Sequence, residues 1–140
     1  MKTNLILLFF LLSMSGFAQS FNGDYTSYKT SYKDDGDSAN NFAEETTFNI
    51  SILIEKDASN GRIVIQDPRM PDRPLIYKVL NRIDFSEFGD EFIGVYTCQA
   101  DHLQTKKQET LTFYYNKNEE FNLMVRDDFS SQVFFGLTLQ

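Results

Sequence analysis

The chain has 140 residues and a formal net charge of −7, from 20 acidic side chains against 13 Lys and Arg. Its basic residues are scattered, with Lys106-Lys107 the one adjacent pair. That charge pattern argues against nucleic acid and anionic lipid surfaces as partners, because both are bound through clustered Lys and Arg. Cys98 is the single cysteine, so no internal disulfide framework exists and apolar burial must supply the stability.

The first 18 residues have the build of a secretory leader. Lys2 gives the positive start, Leu5 to Leu12 carry no polar residue, and Gly16-Phe17-Ala18 ends in small residues. Cleavage after Ala18 is expected. It would leave one domain, 19–140, with a charge of −8 once Lys2 is lost. The apolar stretch Leu5 to Met14 is shorter than the roughly 20 residues of a spanning helix, and no later segment is longer. The expectation is an exported protein, periplasmic or extracellular, with no integral membrane segment.

The remaining chain reads as strands. Phe21 to Lys33 holds the tandem Thr26-Ser27-Tyr28-Lys29 and Thr30-Ser31-Tyr32-Lys33. Tyr and Thr favour a strand there, with Tyr28, Thr30 and Tyr32 on one face. A polar loop, Lys33 to Asn41, follows. Phe48, Ile50, Ile52 and Ile54 alternate with Asn49, Ser51 and Glu55, the period-two mark of a half-buried strand. Asn60-Gly61 signals a hairpin into Arg62–Gln66. Pro68, Pro71 and Pro74 make a rigid loop, since proline cannot donate to a ladder. Strands follow at Leu75–Leu80, Phe92–Ala100 and Glu109–Tyr115. Two more are centred on Phe121, Leu123, Val125 and on Val133, Phe135, Leu137, Leu139.

Eight short strands and no helix predict an all-β fold. An antiparallel meander closed into an up-and-down barrel removes exposed edges; a two-sheet β-sandwich is the alternative. Phe21-Asn22-Gly23-Asp24-Tyr25 resembles the opening of the lipocalin and fatty-acid-binding superfamily, with glycine two residues before a large aromatic. That superfamily usually has Trp where this chain has Tyr25. Its partner basic residue lies on the last strand, whereas the nearest candidate here, Arg126, ends the strand before. The resemblance implies an apolar ligand cavity inside the barrel.

No catalytic, cofactor or metal motif is present. His102, the only histidine, follows Asp101 and lies four residues after Cys98. A Cys-His-Asp nucleophile would need a sharp turn at Ala100, because strand residues four apart are separated by about 13 Å. Burial of Cys98 as an inert thiol is the simplest reading, with a Cys98-linked dimer or a catalytic thiol as alternatives. Asp34-Asp35-Gly36-Asp37-Ser38 lacks the ligand spacing of a helical calcium loop.

Three functional readings follow. In the first, the barrel binds a small apolar ligand against Phe48, Ile50, Ile52, Phe113, Phe121 and Phe135, with Gly94 and Gly136 leaving room. In the second, a protein partner docks on a strip of Tyr28, Lys29, Tyr32 and Lys33 or on the proline loop at Arg69-Met70. In the third, Cys98 or a pair of carboxylates serves an enzyme.

Overall fold

The computed structural model describes residues 21–55, 60–83 and 92–140. The expected leader lies outside them. The strands are β1 (Gly23–Ser27), β2 (Lys29–Asp34), β3 (Phe42–Glu44), β4 (Phe48–Ile54), β5 (Gly61–Gln66), β6 (Leu75–Ile83), β7 (Phe92–Ala100), β8 (Gln108–Tyr115), β9 (Phe121–Arg126), β10 (Ser130–Phe135) and β11 (Thr138–Leu139). One turn of 3₁₀ helix, Ser38–Asn40, sits between β2 and β3. Among the described residues no helix is long and apolar enough to cross a membrane.

All 11 strands join one antiparallel sheet in the order β11-β1-β4-β5-β6-β7-β8-β9-β10-β2-β3. A single sheet removes the sandwich alternative. Two chain continuities bring the ends of this order together. β1 runs into β2 at Tyr28, and β10 runs into β11 at Gly136-Leu137. These two long segments pair antiparallel in one register, from Asp34 opposite Ser130 to Tyr25 opposite Leu139. The other edge of β1 pairs with β4. With β3 and β4 taken as one length, eight staves therefore close as an up-and-down meander.

The alternation within β4 is as the sequence predicts: Phe48, Ile50 and Ile52 are buried and Leu53 is 64% exposed. β6 runs three residues beyond the predicted end, past a bulge at Val79/Asn81. The core joins Ile63, Ile65, Tyr77, Val79, Tyr96, Cys98, Leu111, Phe113, Leu123 and Phe134. One end of the barrel is stoppered by aromatics. Phe21 stands 4.7 Å from Phe113 and about 6 Å from Phe121 and Tyr96, ring centre to ring centre. The Tyr25 hydroxyl donates to the Phe21 carbonyl and holds this stopper in place.

Three expectations are corrected at the seam and the glycines. Ser27 and Thr30 are both buried although three apart, because the strand bends at exposed Tyr28. Tyr28, Thr30 and Tyr32 therefore do not share a face. Phe134, not Phe135, points inward: it pairs with buried Thr30 and Leu123, while Lys29 lies 5.5 Å over the Phe135 ring outside. Neither Gly94 nor Gly136 leaves free space. A Cβ at Gly94 would meet the Tyr96 ring, and one at Gly136 (φ +63) would meet the Tyr28 ring.

The hairpin between β4 and β5 is present, closed by the Glu55 N–H on the Asn60 carbonyl. Its tip, residues 56–59, lies outside the described part, as does the predicted break from Asp84 to Asp90. Gly61 is needed because a Cβ there would lie 2.5 Å from the Leu53 carbonyl oxygen, at φ +154. Gly61→Ala is expected to destabilise by roughly 1–2 kcal/mol, the cost of one strained backbone position. A thermal melt monitored by circular dichroism measures it; an unchanged midpoint would show that the hairpin relaxes freely.

Candidate functional site

The end opposite the aromatic stopper is open, and its four connections differ in character from the staves. They are residues 35–41, 67–74, 101–107 and 127–129. The ladder between β4 and β5 stops at Asn49 opposite Gln66. Beyond that point residues 42–47 and the proline loop diverge. A cavity of about 260 Å³ opens between them. Its inner wall is Thr30, Phe48, Ile65, Leu75 and Gln132; its rim is Phe42, Glu44, Asp67, Arg69, Met70 and Arg73. The volume is just under the 300 Å³ at which drug-sized pockets begin, so the occupant must be small or inserted in part.

The proline loop is held in shape by its own first residue. Asp67 is buried, and its carboxylate accepts from the Arg69 backbone N–H at 2.9 Å. The Arg69 guanidinium binds the same carboxylate through Nε and Nη2 and reaches across the gap to Glu44. Those bonds hold the Asp67 carboxyl below the usual carboxylate range and push the Arg69 guanidinium further up. With two carboxylates on it, Arg69 is a strap across the gap rather than a free anion receptor. Gln66 adds a bond from its side-chain amide to the Pro71 carbonyl. Apolar Phe42 and Met70 remain about half exposed on either side of the strap.

A polar cluster occupies the other side of the open end. Asp127 accepts from Lys107 at 2.8 Å and from the Phe129 and Ser130 N–H groups. Burial opposes its charge, but these bonds prevail and hold its pKa down at about 2. Glu109 lies opposite Cys98 in the ladder and has a buried carboxylate oxygen, Oε2, with no hydrogen-bond partner. Burial raises its pKa, offset in part by the nearby Tyr77 hydroxyl, His102 and Lys107. Glu109, Asp127, Asp128, Thr97, Thr110 and Arg126 border a second, polar depression.

Glu109 should therefore oppose folding when it is charged. Its folded pKa is above the unfolded value, so stability is gained as pH falls through the interval between them and is lost above it. Glu109→Gln is expected to raise the free energy of unfolding at pH 7–8 by about 1 kcal/mol, the cost of one buried orphan acceptor, and to change it little at pH 4. Melts at the two pH values measure this; equal shifts at both would contradict it.

The predicted site residues are divided among different places. Phe48 lines the cavity. Ile50, Ile52 and Phe113 are packed into the core, and Phe121 belongs to the stopper. Phe135 lies outside. The strip of Tyr28, Lys29, Tyr32 and Lys33 is broken up. The Tyr28 hydroxyl donates to Glu120, Lys29 covers Phe135, Tyr32 stacks on Phe42 from the other face, and Lys33 is exposed. Arg69 and Met70 are at the cavity rim.

Cys98 is fully buried and burial pushes its thiol up to about 12, so it is inert and offers no sulfur for an interchain link. His102 is tied to the start of β6 rather than to Cys98. Its Nδ1 is 3.0 Å from the Ile76 N–H, and its ring meets Tyr77 edge-on. No Cys98–His102 bond forms. Asp34 spends its carboxylate on Gly36, Asp37 and Asn40 within its own loop. Arg126 pairs with Asp35 at the open end, while Tyr25 sits by the stopper, so the two do not stack.

Glu44 and Asp67 on the rim, and Gln132 on the inner wall, are not among the residues the sequence points to. Asp67 carried a signal, an Asp two residues before Arg69 at the head of a proline loop. Glu109 carried another, since it shares the parity of inward Leu111 and Phe113. Comparison of the chain with protein-family models, curated proteins and solved structures finds no match in any of the three.

Proposed function

We propose that this chain is an exported binding protein that takes a small apolar ligand at the open end of its barrel. The carrying observation is the cavity beside the Arg69 strap, walled by Phe48, Ile65 and Leu75. Small-molecule sites are concave and mostly apolar, with a few placed polar groups, and the mouths of β-barrels are favoured locations. Thr30 and Gln132, joined by a 3.1 Å bond, are the polar groups on the inner wall. The sequence resemblance to the lipocalin and fatty-acid-binding superfamily leads to the same reading. The filled centre of the barrel limits the ligand to the mouth.

Calorimetric titration with benzyl alcohol, a neutral aromatic of suitable size, tests this. Met70→Glu places a charge on the rim at an exposed position, so folding should be unaffected. The variant is expected to bind about tenfold more weakly, equivalent to about 1.4 kcal/mol. No heat from either protein would contradict the reading.

A further inference from the structure

The slot beside the cavity has a second property, which rests on the cavity being a binding site. β3 pairs with β2 along one edge only. Among the described residues no backbone hydrogen bond joins 42–47 to the proline loop 67–74, and the sole bridge is the Arg69 side chain on Glu44. A strand turns its N–H and C=O groups alternately to its two sides, so part of the main chain of β3 faces the slot without a ladder. Unpaired main chain next to an apolar cavity is the geometry of strand addition: the edge binds backbone, and the cavity takes one side chain.

We propose that the free edge of β3 accepts an extended peptide segment, one bulky apolar side chain of which enters the Phe48–Ile65–Leu75 cavity. The walls also set the charge of that segment. Glu44, Glu45, Asp67 and Asp72 outnumber Arg69 and Arg73. A segment with basic residues flanking its apolar one complements this excess, and the chain's net charge of −7 assists its approach. The half-exposed Phe42 and Met70 bracket the entry and would be covered by the added strand.

The test uses the peptide Lys-Thr-Val-Phe-Val-Thr-Lys with capped ends, titrated into isotope-labelled protein, with affinity and amide exchange as readouts. Two controls carry N-methyl groups on alternate backbone nitrogens, one set on each edge of the peptide. The unmodified peptide is expected to bind and to slow amide exchange within residues 42–47. One N-methylated control should bind at least tenfold more weakly, and the other should retain affinity. Equal binding of all three peptides overturns strand addition. Binding of benzyl alcohol without the peptide overturns it too, leaving the cavity reading intact. No binding of either probe removes both. A concentration-dependent dimer by sedimentation, with protection of 42–47 in the absence of peptide, would assign the edge to a second copy instead.

Discussion

Phe113→Ala is expected to lower the free energy of unfolding by about 3–5 kcal/mol. Phe113 is fully buried on β8 between Phe21, Tyr96 and Phe121. Its ring joins the core to the aromatic stopper. Removing it forfeits the transfer energy of a phenyl group and leaves a void that three aromatic neighbours cannot close without leaving their rotamers. Domains of this size have about 5–15 kcal/mol in total, so the variant should sit near the edge of folding. Urea unfolding followed by circular dichroism measures the loss. A loss below about 1 kcal/mol would mean the stopper collapses into the void.

The second large effect is acid sensitivity centred on Asp127. Its folded pKa of about 2 lies below the ordinary 3.8. A depressed carboxylate stabilises the fold above its unfolded pKa and loses that contribution as pH falls through the folded one. The difference corresponds to about 2 kcal/mol, present at neutral pH and lost between about pH 4 and pH 2. Asp127→Asn should remove it, since Lys107 and the Phe129 and Ser130 N–H groups lose a charged acceptor. The variant should be less stable than wild type by about 2 kcal/mol at pH 7 and nearly equal to it at pH 2. A constant difference across that range would show that shape, rather than charge, is what the turn requires. Glu109 acts in the opposite direction and in a different window: Asp127 makes stability fall with acid below about pH 4, whereas Glu109 makes stability rise with acid above its ordinary value of 4.5.

The strand positions were legible because one period governs most of the chain. Phe48 to Ile54, with Leu53 the one exception on the wet face, and Leu111 to Phe113 alternate, and the prolines between β5 and β6 punctuate them. Parity failed where the backbone carries an extra residue. In β10, Phe134 and Phe135 are both aromatic, so composition cannot say which is inward; the bend at Tyr28 decides it through the pairing of Phe134 with Thr30. The same bend divides the tyrosine tandem between two faces. Aromatic rings over Gly94 and Gly136 are likewise absent from any local pattern, since they depend on how Tyr96 and Tyr28 turn.

The site was less legible than the fold. Arg69 and Glu44 are 25 residues apart, and Thr30 and Gln132 are 102 apart. No spacing rule connects such pairs before the barrel closes. The proline loop was visible as a loop, but its role as one wall of a cavity depends on where the β4–β5 ladder stops.

Methyl-resolved NMR titration with benzyl alcohol tests the binding reading most directly. Shifts confined to the Ile65, Leu75, Met70 and Thr30 methyls, saturating with ligand and leaving Leu111 and Leu123 unmoved, are the predicted result. Uniform small shifts, or changes centred on the core methyls, would contradict a binding site at the open end.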